Sequence, residues 1–367
     1  MMRDRLKTAK RIVIKAGTSI LTSGEGRISG KNLARLGRQI TALMREHREV
    51  ALVSSGAIAF GMEAARLPRR PKKMPRLQAC AAMGQGKLMR AYDEHFASRG
   101  IATAQILLTR DGLEKRNRFL AARHTIDELF RMRVLPIVNE NDTVATEEIA
   151  FGDNDILSVH VAHMISADLL VLLSDVDGFF LKDGSRIRDV RSAEEIDHHL
   201  VEHLRDFKKE TTVGGMRAKL EAARVAMRLG VPLAILSGRQ DTALTEFFAG
   251  RDLGTLFSAK GVSEDARRKW IAFSAARKGA VIVDSGATKP FCVGNAAFFQ
   301  AALSRSAGIL TAGTLWSLKP QMEKSSAAAS AGIQTASSPK LREKRRMKFR
   351  RSWAINIKTK LCTVMIW

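Results

Sequence analysis

Residues 11–53, RIVIKAGTSILTSGEGRISGKNLARLGRQITALMREHREVALV, decide the class of fold. RIVIK at 11–15 is a short β-branched apolar run, and EVALV at 49–53 is another. Between them, 31–46 is a longer stretch of helical character. Continuous apolar strands are buried on both faces, and strands separated by helices make a mostly parallel sheet covered by helices on both sides. The alternation continues outward. Further strands are expected at 101–107, 134–138, 169–174 and 232–236, and further helices at 76–98, 117–132, 154–166 and 215–229. The expected architecture is a three-layer α/β/α sandwich. Ligands of such sheets bind at the carboxyl ends of the strands, so the residues just after each strand are the ones to examine.

Composition sets outer limits. With 367 residues and 45% apolar content the chain can build a sizeable core and more than one domain. No apolar run reaches the roughly 18 residues that span a membrane. The opening, MMRDRLKTAKRIVIKAG, is basic, but its apolar part reads as a strand rather than a signal peptide. Cys80, Cys292 and Cys362 have no metal-ligand spacing and no even pairing, which suits a reducing cytoplasm. The net charge of +24 raises the question of nucleic acid. Its distribution argues otherwise: residues 290–367 hold 13 Lys/Arg against 2 Asp/Glu, while the rest hold 48 against 35.

Five loops have the chemistry of an anion or amino-acid site. Strand 11–15 runs into Lys15-Ala16-Gly17-Thr18-Ser19, where a glycine permits a tight turn and lysine brings a point charge for a phosphoryl group. This is not the Walker pattern, and a solvent-facing lysine before a turn is the bland alternative. Ser54-Ser55-Gly56 after the second strand suits close approach to a carboxylate or phosphate, or is only a strand-to-helix turn. Asn139-Glu140-Asn141-Asp142 and Asp153-Asn154-Asp155 put seven acids and amides into two short loops. Helix capping explains one or two of them, not seven. Ser174-Asp175-Val176-Asp177-Gly178 closes another strand, either as a plain turn or beside a nucleotide. Gly214-Gly215-Met216-Arg217-Ala218-Lys219 opens a helix in a way that suits phosphate, with the plain structural reading equally open.

Taken together, IVIKAGTSILT, VSSGAIAFGM, AAMGQGKLM, QILLTRDGL, PIVNENDTVATEEIAFGDNDILSVHVA, LLSDVDG and GGMRAKLEAARVA resemble the amino-acid kinase family over residues 10–257. SSGAI, NEND and FGDND in that order resemble its glutamate 5-kinase branch. The resemblance implies phosphorylation of the glutamate γ-carboxylate with ATP and Mg2+, in the first step of proline biosynthesis. It implies catalytic roles for Lys15, Lys219 and Asp155, and glutamate contacts at Ser55, Asp142 and Asn154. ATP would be met by Lys15, Gly17, Ser174, Asp175, Val213, Gly214, Gly215, Met216 and Lys219, with no protein metal site. Proline as feedback inhibitor and a homo-oligomer are implied as well. Acetylglutamate, aspartate or a nucleoside monophosphate as acceptor, and RNA binding, are the rival readings. One departure stands out: Thr212-Val213 replaces the family's Gly-Thr, which implies weaker nucleotide contacts.

The resemblance divides the chain into a catalytic domain at 1–257, a linker and PUA-like opening at 258–289, and a tail at 290–367. KWIAFSAARKGAVIVDSGATK at 269–289 resembles the start of a PUA domain, and the likeness stops after Lys289. Reading the third base of each codon with the first two of the next fixes Gly at Met322-Glu323, Glu at Met347-Lys348, Gly at Trp353-Ala354 and Asp at Met365-Ile366. Permitted codons elsewhere restore a PUA-like ending. The tail is therefore expected to be out of frame, basic and poorly ordered, leaving the small β domain incomplete; 324–339 is low in complexity.

Overall fold

A computed structural model describes residues 2–23, 29–144, 154–181, 183–192, 195–196 and 215–258, with the backbone of five short strands beyond them. The chain divides into two compact units, Met1–Lys269 and Trp270–Trp367.

Unit 1 is built on an eight-stranded sheet. Its strands are β1 Arg11–Ala16, β2 Glu49–Val53, β3 Thr103–Leu108, β4 Leu135–Glu140, β5 Leu169–Ser174, β8 Asp189–Val190, β9 Leu233–Ser237 and β10 Thr255–Phe257; β6 Phe179–Phe180 and β7 Arg186–Ile187 form a separate hairpin. The order is β3-β4-β2-β1-β5-β9-β10-β8. All pairings are parallel except β9 with β10, whose direction reverses at that edge. The mostly parallel sheet is as expected, and all six expected strands, β1–β5 and β9, fall within two residues of their sequence-based bounds. Strands β8 and β10 have no expected counterpart, because two or three residues show no period.

The long helices are α2 Gly30–Arg45, α4 Met74–Ala97, α6 Arg116–Arg131, α7 Asn154–Met164 and α8 Met216–Leu229; the short ones are α1 Thr18–Leu21, α3 Ala57–Ala64, α5 Arg110–Glu114 and α9 Ala243–Phe248. Ile12, Ile14, Leu52, Ile137, Leu169 and Val171 point from the sheet into a core closed by Leu36, Ile40 and Leu43 of α2 and Leu88, Tyr92 and Phe96 of α4. Helices α3 and α4 pack closely because each offers a glycine. A Cβ on Gly61 would stand 1.8 Å from the Cys80 carbonyl oxygen, and one on Gly84 would stand 1.8 Å from that of Ala57. Ser29 caps α2 by accepting the Asn32 N–H, and Gly230, at φ 71°, ends α8 in the left-handed conformation.

Unit 2 shows β11 Arg277–Val283, β12 Ser306–Ala307, β13 Thr314–Pro320, β14 Ile355–Asn356 and β15 Thr363–Ile366, in the order β12-β11-β13-β15-β14. The stretch 324–339 and most of 258–289 lie outside the described residues.

Candidate active site

The carboxyl ends of the parallel strands carry the polar side chains. β1 ends with Lys15 one residue before its last, β2 is followed by Ser54, β4 closes with Asn139-Glu140, and β5 closes with Ser174. Strand register sets them side by side: Lys15 pairs with Val53 and Leu172, and Ala16 pairs with Leu173.

Three charged side chains meet beneath this edge. Lys15 Nζ lies 2.6 Å from one carboxylate oxygen of Asp155, and Lys219 Nζ lies 3.1 Å from the other. Asp155 is 0% exposed, Lys15 3% and Lys219 7%. Charges this deep persist only when paired, so one carboxylate fixes two ammonium groups that lie far apart in the sequence. Asp155 lies in the first turn of α7 and Lys219 in the first turn of α8, where helix dipoles favour anions. Gly17 adjoins the cluster; a Cβ there would come within 3.5 Å of Lys15 Nζ.

Beside the lysines runs a chain of amides. Asn154 Nδ2 donates to the Ser54 carbonyl at 2.6 Å, to Asn139 Oδ1 at 2.9 Å and to Ser55 Oγ at 3.0 Å. Asn139 Oδ1 also accepts the Glu140 N–H at 2.9 Å, and Asn139 Nδ2 donates to Gln85 Oε1 at 2.8 Å. Since Ser55 Oγ is an acceptor here, its own proton is left to address a ligand. Ser54 Oγ and the Tyr92 hydroxyl share a hydrogen bond of 2.9 Å, and burial pushes the Tyr92 phenol up.

The amide chain ends at a pocket of about 300 Å³ lined by Ala81, Gln85, Gln105, Glu140, Asn141 and Asp142 among others. Burial holds the Asp142 carboxyl above its usual range, with Arg70 acting in the opposite sense. Among the described residues no group of three His, Cys, Asp or Glu converges as a metal site.

The expected residues thus fall in three places. Lys15, Lys219 and Asp155 form one cluster with Gly17 at its side. Ser55 and Asn154 touch, while Asp142 lines the pocket that Gln85, bonded to Asn139, also lines. Ser174 is buried at the end of β5, exposed Asp175 pairs with Arg239 at 3.3 Å, and Gly215 and Met216 open α8. Val213 and Gly214 lie outside the described residues. Asn139 belongs to the expected acid-and-amide cluster, whereas Gln85 is a further residue whose signal is an amide beside two glycines in AAMGQGKLM.

Residues 10–237 match the amino acid kinase family. Glutamate 5-kinase of Geobacter metallireducens is 45% identical over 290 residues, which are 77% of this chain and 76% of that protein. Glutamate 5-kinase of Carboxydothermus hydrogenoformans is 40% identical over 323 residues, 87% of this chain and 86% of that one. A solved UMP kinase of Bacillus anthracis superposes with a TM-score of 0.47 at 16% identity, over 69% of this chain and 97% of its own.

Proposed function

The chain belongs to the amino acid kinase family, and on that premise we propose that it transfers the γ-phosphoryl group of ATP to the γ-carboxylate of L-glutamate, giving L-glutamyl 5-phosphate for proline biosynthesis. The observation that carries this reading is the pair of buried lysines on Asp155 at the strand ends. Phosphoryl transfer asks little covalent chemistry of a protein and much charge placement. An ionised carboxylate is already a nucleophile, so it needs no general base; lysines, an acid and amides suffice.

The order of the strands supports a division of labour along the edge. β4 and β2 bring Asn139, Ser55 and the pocket with Asp142, β1 brings Lys15, and β5 brings Ser174. Glutamate would lie over β4 and β2, held by Ser55, Asp142 and Asn154. The phosphoryl group would cross β1 between Lys15 and Lys219, with Asp155 holding both. The nucleotide would lie over β5 and the start of α8, against Gly17, Ser174, Asp175, Val213, Gly214, Gly215 and Met216. Magnesium enters as part of the substrate, MgATP, because Asp155 is engaged by two lysines. In that frame Thr212-Val213 weakens the hold on ATP, and Thr212→Gly with Val213→Thr lowers the KM for ATP.

The same reading assigns catalysis to residues 1–257, a PUA-like opening to 258–289 and out-of-frame sequence to 290–367, supported by the forced codons and the tail's charge. Resequencing the gene near codon 290 tests it; an intact frame overturns it. A homo-oligomer, proline as feedback inhibitor and a cytoplasmic location follow from the family likeness. No helix of the described residues is long and apolar enough to cross a membrane.

The test of function is acceptor-dependent ADP release by the purified chain with L-glutamate, L-aspartate, N-acetyl-L-glutamate and UMP in parallel. Glutamate gives the highest kcat/KM. A higher value for any other acceptor, or ATP turnover that ignores all of them, overturns the assignment.

A further inference from the structure

Gln85 has a feature that the phosphoryl-transfer cluster does not explain. Its Nε2 is buried and has no hydrogen-bond partner among the described residues. Buried side-chain donors nearly always find a partner, so an orphan beside a cavity points to a ligand. The orientation of this amide is set from outside by a chain of hydrogen bonds. The Glu140 N–H can only donate, which makes the Asn139 atom that receives it an oxygen. The other amide atom of Asn139 is then a donor, so the Gln85 atom 2.8 Å away must be its carbonyl. The remaining atom of Gln85 is therefore the NH2 group, with up to two protons to give. The pocket that Gln85 lines is also lined by Asp142 and Asn141.

We propose that Gln85 is a specificity-determining residue whose Nε2 donates to the α-carboxylate of the amino-acid acceptor, while the Asp142 side of the pocket receives its α-ammonium. A pocket lined by one fixed donor group and the Asp142 carboxyl complements a zwitterionic head group and mismatches an acceptor that lacks either charge. The relay Gln85–Asn139–Asn154 also links the head-group pocket to the residue that precedes Asp155, so head-group binding and placement of the reacting carboxylate share one rigid set of hydrogen bonds. This inference rests on glutamate being the acceptor.

The test is steady-state kinetics of Gln85→Glu and Gln85→Met in the full chain. Gln85→Glu keeps the acceptor for Asn139 and replaces the donor by a carboxylate; Gln85→Met removes both. The expected result is a rise in KM for glutamate of about tenfold or more in both, because a hydrogen bond to a charged group is lost, with KM for ATP within about twofold of wild type. Inhibition by 4-aminobutyrate, which has no α-carboxylate, is expected to change far less than KM for glutamate in Gln85→Glu, which keeps the acceptor for Asn139. Unchanged KM for glutamate, or equal losses toward glutamate, ATP and 4-aminobutyrate, overturns the assignment of Gln85. Absence of glutamate-dependent turnover in the wild type instead overturns the underlying function.

Discussion

Replacing Asp155 by Asn removes one charge and almost no volume from the centre of the site. The carboxylate is wholly buried and touches Lys15 Nζ at 2.6 Å and Lys219 Nζ at 3.1 Å on separate oxygens. Ammonium groups so placed lie roughly 6 Å apart, and at an effective dielectric of about 20 their mutual repulsion is about 3 kcal/mol. Breaking a buried pair from one side costs about 3–5 kcal/mol, in the same range. For a catalytic unit of this size that lowers Tm by about 10 °C. The lysines also lose the group that fixes their positions, and misplacement of about 1 Å costs about 100-fold in kcat. Thermal unfolding and initial rates of ADP release, measured on the same preparations, read both effects. Asp155→Glu restores the charge but not the position, so it recovers stability more fully than kcat. An Asp155→Asn protein with wild-type Tm and kcat would refute the claim that this carboxylate organises the two lysines.

Other outcomes follow from neighbouring features. Burial raises the Asp142 carboxyl, so as pH falls it takes up a proton earlier than an ordinary aspartate and the pocket loses its negative charge; KM for glutamate therefore rises toward acid, and Asp142→Asn shows a higher but flatter KM profile. His160 is depressed to about 4 by burial, His163 and Arg110. Between its ordinary value and about 4 the unfolded chain takes a proton that the native state refuses, so stability falls with pH across that window, by about 3 kcal/mol at its lower end. Urea unfolding at pH 7 and pH 5 checks this, and His160→Gln reduces the difference. Gly84→Ala drives a methyl into the Ala57 carbonyl and forces α3 from α4, costing about 1–3 kcal/mol or more in the same unfolding assay.

Much of this site was legible in the order of residues, and the reasons differ by part. The central strands read clearly because RIVIK, EVALV and LLVLLS are buried on both faces and leave no other use for continuous apolar runs. Helix α3 was less visible. Gly61 lowers its intrinsic helix propensity, and the tertiary reason for that glycine, the approach of Cys80 in α4, has no local signature. Lys15 lies at the end of a strand and Asp155 and Lys219 open helices, so each is a candidate from its own loop; that Asp155 holds both lysines is legible only through the family likeness, because the convergence depends on sheet order, which places β1 next to both β2 and β5. The amide relay was hidden for a different reason. Gln85 belongs to a helix 54 residues from Asn139, and only the fold brings it to the end of β4.

The central claim is that two buried lysines move a phosphoryl group onto a carboxylate, and hydroxylamine trapping tests it most directly. An acyl phosphate reacts with hydroxylamine to give a hydroxamate, which phosphate esters do not form. The purified chain, given MgATP, L-glutamate and hydroxylamine, is predicted to form γ-glutamyl hydroxamate in step with ADP, and Lys15→Met and Lys219→Met to lose at least about 100-fold of that rate. ADP released without hydroxamate, or hydroxamate formed at wild-type rate by either lysine variant, would contradict the account.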